Sequence, residues 1–121
     1  MRKTILAVDD DTMNLRMVEM ILKRKDYDVK KADSGQAALA LLKEESVDLV
    51  LLDVEMPGMS GIETLNAIRA EWEPVDLPVM FLTASEDVEQ DVENGEYAVQ
   101  GFIRKPILAQ KLYESINALL E

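Results

Sequence analysis

Residues 48–58 read Asp-Leu-Val-Leu-Leu-Asp-Val-Glu-Met-Pro-Gly, a run of four apolar residues that stops at Asp53. A continuous apolar run without alternation is typical of a strand buried on both faces, as in a parallel sheet. Residues 5–8 and 79–82 share this character, and a polar residue follows each of them. Residues 101–104, Gly-Phe-Ile-Arg, are a further candidate strand and are followed by Lys105. Residues 27–32 are a weaker fifth candidate strand.

Helical patterns fill the gaps between these strands. Apolar residues recur at helical spacing in four segments: Leu15, Val18 and Leu22; Ala38, Leu39 and Leu42; Ile62, Leu65 and Ile68; and Leu108, Leu112, Ile116 and Leu119. Ser34 and Ser60 stand where N-caps of the second and third helices are expected. The fourth helix, within residues 86–97, has the weakest apolar stripe, formed by Val88, Val92 and Val99. Five βα units predict an α/β protein with a parallel sheet between helices and right-handed crossovers.

Composition narrows the class of protein further. The chain has 121 residues, of which 48% are apolar, so we expect one domain with its own core. It contains no cysteine and no histidine, which excludes disulfides, thiolate chemistry and a histidine-based triad. A net charge of −11 argues against binding to nucleic acid. No apolar run approaches the length of a membrane span, and we expect a cytoplasmic domain.

Polar residues stand at the carboxyl ends of four predicted strands. They are Asp9-Asp10-Asp11, Asp53, Thr83 and Lys105. In an open α/β sheet this edge is where ligands bind. Clustered carboxylates require a cation, and an oxygen-rich set suits Mg²⁺ or Mn²⁺. One carboxylate could then attack a phosphoryl group, with the lysine and the threonine stabilising its oxygens.

Each of these residues also has a simpler interpretation. The three aspartates could be a solvated helix cap, and Thr83 could be the N-cap of the following helix. Lys105, which precedes Pro106, could be an ordinary loop lysine. The coincidence of all four at strand ends favours a functional site.

The sequence resembles the receiver domain of a two-component response regulator over the whole chain, residues 1–121. The resemblance is carried by residues 5–10, 48–61, 81–84 and 102–106. It implies a flavodoxin-like three-layer sandwich, (βα)5, whose parallel sheet has the strand order 2-1-3-4-5.

The resemblance also implies a role for each site residue. Asp53 would be the phosphoacceptor, and Asp10 and Asp53 would ligate Mg²⁺ directly. Asp9 would act mostly through a water molecule, and the backbone carbonyl of Glu55 would be a further ligand. Lys105 would hold a phosphoryl oxygen.

The same resemblance implies a switch and its partners. Thr83 would move toward the phosphoryl group and Phe102 would turn inward, changing the surface of the fourth helix, fifth strand and fifth helix. The donor would be a histidine kinase or a phosphotransfer protein, and the output partner or effector domain stays unidentified. Such a domain assists its own phosphorylation and dephosphorylation but is a signalling domain and not an enzyme.

Several features depart from the family pattern. Glu55 and Ser85 occupy variable positions that tune dephosphorylation in the family. Asn94-Gly95 precedes the usual end of the fourth helix, which predicts a helix that ends early or is distorted. The Asp53–Gln100 stretch holds twelve acids and one base, Arg69, whereas the rest of the chain is neutral. This acidity indicates a solvated surface, a basic partner, or a fourth helix loosened by like-charge repulsion.

The first helix carries a second apolar face. Met13, Met17 and Met20 lie about half a turn from Leu15, Val18 and Leu22, at roughly 100° per residue. They fill gaps against a neighbouring helix, or they form an adaptable docking face for a partner. In the family, this helix contacts the helical bundle of the kinase.

Three other functions remain open from the sequence. A haloacid-dehalogenase-like phosphatase also uses an aspartyl phosphate, but its motif requires Thr or Val where Met13 stands, and the chain lacks room for cap elements. A flavodoxin-like flavin binder should have a first loop rich in Ser, Thr and Gly, which three aspartates contradict. A receiver fold that serves only as a binding module is a third possibility, although the complete set Asp10, Asp53, Thr83 and Lys105 argues against a loss of the chemistry.

Overall fold

A computed structural model describes residues 2–121, in which five strands and five helices alternate. The strands are β1 (Thr4–Val8), β2 (Asp28–Ala32), β3 (Leu49–Asp53), β4 (Val79–Thr83) and β5 (Gly101–Arg104). The helices are α1 (Thr12–Lys23), α2 (Gly35–Glu44), α3 (Gly61–Glu71), α4 (Glu86–Glu93) and α5 (Ala109–Leu120). The five predicted βα units are therefore confirmed.

The strands form one parallel sheet in the order β2-β1-β3-β4-β5. Every residue of β3 and β4 is buried, as their continuous apolar runs predict. Alternate strand residues point to opposite faces, which gives two separate cores. One core joins the sheet to α1 and α5, and the other includes residues of α2 and α3. The three-layer α/β sandwich is thus confirmed.

Side-chain caps fix where the helices begin. Ser34 caps α2, and Ser60 caps α3 in a reciprocal box with Glu63. The last helix departs from the prediction because α5 starts at Ala109, so Leu108 stands at its N-cap position and is 57% exposed. Leu108 therefore does not belong to the buried stripe.

The fourth helix is short. It ends at Glu93, and Gly95 adopts a φ of +78°, a conformation that favours glycine. The early end predicted from Asn94-Gly95 is therefore observed, and Val99 lies outside the helix. Within residues 2–121 there is no helix with the length and apolar character that crossing a membrane requires.

Candidate functional site

The carboxyl edge of the sheet gathers the predicted site residues. Asp53 ends β3 and Thr83 ends β4, while Asp9 and Lys105 directly follow β1 and β5. Asp9, Asp53 and Thr83 are each at most 2% exposed. Because the four strands are parallel neighbours, their ends place these groups side by side at one edge.

A single ammonium group is shared by two buried carboxylates. Lys105 Nζ lies 3.0 Å from Asp53 Oδ1 and 3.4 Å from Asp9 Oδ2. Asp53 Oδ1 also accepts a hydrogen bond of 3.3 Å from the backbone N–H of Glu55, whose side chain is exposed. Lys105 is thus part of the site and not an ordinary loop lysine.

The three consecutive aspartates have different environments. Asp11 is the N-cap of α1, and its carboxylate accepts from the N–H groups of Met13 and Asn14. Asp9 accepts from the Asp11 N–H at 3.0 Å and from Asn14 Nδ2 at 3.2 Å. Asp10 is exposed. The cap interpretation therefore holds for Asp11 alone. Asn14 is not predictable as a site residue from the sequence, where its only signal is its place in the first turn after the aspartates.

Burial and charge perturb the Asp53–Lys105 pair. Burial, with repulsion from Asp9, raises the pKa of Asp53 to about 6 although Lys105 acts to lower it. Burial acts to lower the pKa of Lys105, but its hydrogen bond to Asp53 and both nearby carboxylates outweigh burial and raise that pKa. The single positive charge of Lys105 therefore does not fully compensate an ionised Asp53 that lies beside Asp9.

The donor set fits a hard divalent cation. One carboxylate oxygen from each of Asp9, Asp10 and Asp53 lies within 4.8 Å of the others. Oxygen ligands suit Mg²⁺, Mn²⁺ or Ca²⁺, and the absence of cysteine and histidine from the sequence removes the softer ligands that zinc and copper prefer. A second positive charge would also relieve the repulsion that raises the Asp53 pKa.

Thr83 is connected to the start of α4. Its Oγ1 accepts a hydrogen bond of 2.9 Å from the backbone N–H of Ser85. Ser85 is the N-cap of α4, because its hydroxyl accepts from the N–H of Val88 at 3.3 Å. The alternative in which Thr83 itself caps the helix is therefore wrong. Phe102 is half-buried and pairs in register with Phe81 of β4.

An ion pair ties α4 to β5. Arg104 donates from Nη2 to Glu89 Oε1 at 2.7 Å and from Nε to Glu89 Oε2 at 2.9 Å. Glu89 is 6% exposed, and Arg104 is the register partner of Thr83. The hydrogen bond from Arg104 lowers the pKa of Glu89. This pair is not predictable from the sequence, because both residues resemble ordinary surface charges there.

A glycine fixes the loop that follows Asp53. A Cβ on Gly61 would overlap the carbonyl oxygen of Asp53 and the Cα of Val54. The Gly61 N–H also donates to the carbonyl of Val54 at 2.9 Å. The first turn of α3 therefore lies directly against the backbone of the candidate nucleophile.

The methionine face of α1 is open at two positions. Met13 is 77% exposed and Met20 is 60% exposed, whereas Met17 is half-buried and packs against the core beneath α1. A shallow groove runs between them, with Arg16 and Arg24 at its border. The gap-filling interpretation thus holds for Met17 alone.

The acidic half of the chain has few counter-charges. Of its twelve acids, Asp53 and Glu89 alone form ion pairs among the residues that the structure describes. Arg69 is occupied by backbone carbonyls: it donates to Ala98 at 2.8 Å and to Leu77 at 2.7 Å. The exposed acids of α3 and α4 thus form no ion pair among the described residues.

The fold and the buried Asp–Lys cluster define a receiver-type signalling domain. The family model of the response regulator receiver domain matches residues 5–117, and the chain belongs to that family. It is 39% identical to chemotaxis protein CheY-3 of Vibrio cholerae, over 97% of this chain and 91% of CheY-3. It is 36% identical to chemotaxis protein CheY of Pseudomonas aeruginosa, over 97% and 95% of the two chains.

Solved structures agree with this assignment. CheY4 of Vibrio cholerae superposes with a TM-score of 0.90 at 29% identity, covering 99% of this chain and 100% of CheY4. Response regulator TrrA of Thermotoga maritima, solved in complex with Mg²⁺-BeF, gives a TM-score of 0.85 at 31% identity, covering 98% and 99%. The phosphatase, flavin-binding and inactive-module alternatives are therefore not favoured.

Proposed function

We propose that Asp53 accepts a phosphoryl group from a phosphohistidine and that Mg²⁺, or Mn²⁺ in its place, assists the transfer. One observation carries the proposal: the buried Asp53 carboxylate lies 3.0 Å from Lys105 Nζ, with carboxylate oxygens of Asp9 and Asp10 within 4.8 Å. We further propose that residues 1–121 form one receiver domain.

The hydrogen bonds favour a division of labour among the metal ligands. Asp10 and Asp53, with the backbone carbonyl of Glu55, would hold the ion directly. Asp9 already accepts from three donors, so it would act mainly through a water molecule. The bound ion would neutralise charge on the phosphoryl oxygens. TrrA with its Mg²⁺-BeF complex supports the choice of magnesium.

In the transfer step, an Asp53 carboxylate oxygen attacks phosphorus in line with the leaving imidazole nitrogen. The new O–P bond forms as the P–N bond breaks, and the electron pair of that bond returns to the imidazole of the donor. Lys105 stabilises the equatorial phosphoryl oxygens. In a separate hydrolysis step, water attacks phosphorus and the O–P bond to Asp53 breaks. Inorganic phosphate leaves with the oxygen of that water, the proton of the water passes to the phosphate or to solvent, and the Asp53 carboxylate is restored. Glu55, whose backbone N–H donates to Asp53, and Ser85, whose backbone N–H donates to Thr83, would tune the rate of this hydrolysis.

We propose a histidine kinase or a phosphotransfer protein as the donor, because the chain belongs to the receiver-domain family. The phosphohistidine itself would lie outside these 121 residues, which contain no histidine. The methionine face of α1, exposed at Met13 and Met20 with Met17 half-buried between them, suits docking by an apolar helical surface. Family members with output domains support an effector partner: the chain spans about half, 52%, of the phosphate regulon regulator PhoB of Pseudomonas aeruginosa.

Phosphorylation changes the output surface through Thr83 and Phe102. A Thr83 hydroxyl that turns to donate to the phosphoryl group changes its hydrogen bond with the Ser85 N–H and thus the start of α4. Space vacated behind Thr83 lets Phe102, half-buried on β5, turn inward. The surface formed by α4, β5 and α5 then shifts between two states.

Intact mass after treatment with a small-molecule phosphodonor and Mg²⁺ tests the proposal. The wild type should gain one phosphoryl group in a Mg²⁺-dependent manner, and Asp53→Asn should gain none. A gain in both proteins would move the acceptor to another residue, with Asp9–Asp11 tested next. No gain in either would refute the chemistry.

A further inference from the structure

The side chain of Asn14 reaches the carboxylate cluster from the first turn of α1. Its Nδ2 donates to Asp9 Oδ2 at 3.2 Å, and Asn14 is half-buried while Asp9 is 1% exposed. An ionised carboxylate can only accept hydrogen bonds, so the amide must turn its NH₂ group toward Asp9. Asn14 is therefore a neutral donor directed into a cluster of negative charge.

The Asn14 amide affects how the Lys105 ammonium group is shared between the carboxylates of Asp9 and Asp53. Asp9 Oδ2 receives both Asn14 at 3.2 Å and Lys105 at 3.4 Å, whereas Asp53 Oδ1 receives Lys105 at 3.0 Å. With Asn14 satisfying part of Asp9, the lysine lies closer to Asp53. Without Asn14, the buried Asp9 carboxylate would draw Lys105 toward itself, because an unsatisfied buried charge is costly.

We propose that Asn14 is a positioning residue of the phosphoryl-transfer site. It fixes the orientation of Asp9 and leaves Lys105 to Asp53, and it touches neither the phosphoacceptor nor the phosphoryl group. The inference rests on the proposed function for its consequence in catalysis. Residues that orient metal-ligating groups typically change metal affinity by roughly 10–100-fold when they are removed.

A double-mutant cycle tests the inference with the Mg²⁺ dissociation constant, measured by titration calorimetry on the full chain. Asn14→Ala should raise that constant roughly tenfold in the wild-type background. In an Asp9→Asn background the same change should have less than about a twofold effect, because no carboxylate is left for Asn14 to orient. Equal effects in the two backgrounds would overturn the inference.

Two further variants separate positioning from a general effect on a helix. Asn14→Gln keeps an amide donor and should recover part of the lost Mg²⁺ affinity. Asn66→Ala removes an exposed asparagine from the interior of α3 and should leave the affinity unchanged. An Asn14→Gln variant no better than Asn14→Ala would count against a donor role.

The failure of the proposed function and the failure of this inference are distinguishable. If the wild type binds no Mg²⁺, the proposed function is wrong, and the urea midpoints of the same four proteins in EDTA decide the role of Asn14. Non-additive midpoint shifts for Asn14→Ala and Asp9→Asn support the positioning role, and additive shifts overturn it.

Discussion

The Asp53→Asn substitution removes a carboxylate that the metal-free fold holds at an energetic cost. Burial and repulsion from Asp9 raise the pKa of Asp53 from 3.8 to about 6. Since one pKa unit corresponds to about 1.4 kcal/mol, the ionised group destabilises the folded state by about 3 kcal/mol above pH 7. We therefore expect Asp53→Asn to be the more stable protein in EDTA.

The pH dependence of this difference follows from proton binding. Between about pH 4 and pH 6 the folded state holds a proton on Asp53 that the unfolded state has lost, so this contribution to stability falls as pH rises through that window. The free energy of unfolding of the variant should exceed that of the wild type by about 3 kcal/mol near pH 7.5 and by roughly half as much near pH 5.

Urea unfolding followed by far-ultraviolet circular dichroism measures both differences. Mg²⁺ at about 100 times its dissociation constant should raise the free energy of unfolding of the wild type by about 2.7 kcal/mol. The increase should be smaller for the variant, because it lacks one metal ligand. Asp76→Asn, an exposed acid of the same half, controls for net charge and should change stability by less than about 0.5 kcal/mol. A wild type as stable as Asp53→Asn near pH 7.5, or a gap that is the same at both pH values, would refute the reasoning.

Three further substitutions probe other parts of the site. Gly61→Ala should lower the free energy of unfolding by about 1–3 kcal/mol through overpacking and should also slow labelling by a phosphodonor. The control Gly58→Ala, at a φ of +73° with open space around it, should lower stability without changing the labelling rate. Equal labelling rates for the two variants would contradict a positioning role for Gly61. Arg104→Ala leaves the buried carboxylate of α4 unpaired and should speed amide exchange in residues 86–93, and unchanged exchange would show that the ion pair does not hold the helix. Met20→Glu should reduce phosphotransfer from the partner by roughly tenfold or more without affecting labelling by a phosphodonor. The control Val75→Glu, at a site that is 86% exposed, should change neither rate. Unchanged phosphotransfer to the Met20→Glu variant would refute docking at this face.

The sequence predicts the fold well where burial is two-sided. In β3 and β4 every residue is buried, so the strands appear as uninterrupted apolar runs. The edge strand β2 has its central lysines exposed and gives only a weak signal. Leu108 lies one helical turn before Leu112, so spacing alone includes it in α5, although the chain becomes helical only at Ala109.

The site divides in the same way. Asp9, Asp53, Thr83 and Lys105 are predictable because parallel strands deliver their carboxyl ends to one edge of the sheet. Asn14 and the Glu89–Arg104 pair depend on the rotation of α1 and α4 about their axes relative to the sheet. Their sequence positions resemble those of solvated polar residues, so only the packed structure reveals their partners.

Besides the packing of Val88 and Val92 against the core, two polar contacts of α4 lead back to the strand ends beside Asp53. At the start of α4, the Ser85 backbone N–H donates a hydrogen bond to Thr83 Oγ1. Thr83 is the last residue of β4, which pairs with β3. Glu89, the fourth residue of α4, forms an ion pair with Arg104, which is the register partner of Thr83 on the neighbouring strand. A displacement of Thr83 toward a phosphoryl group therefore acts on the first bond directly and on the second through the β4–β5 pairing. The acids of α4 repel one another and have few counter-charges. The two polar contacts therefore hold the helix in place against this repulsion. The phosphorylation proposed for Asp53 would thus act on α4 through these two polar contacts, against the packing of Val88 and Val92.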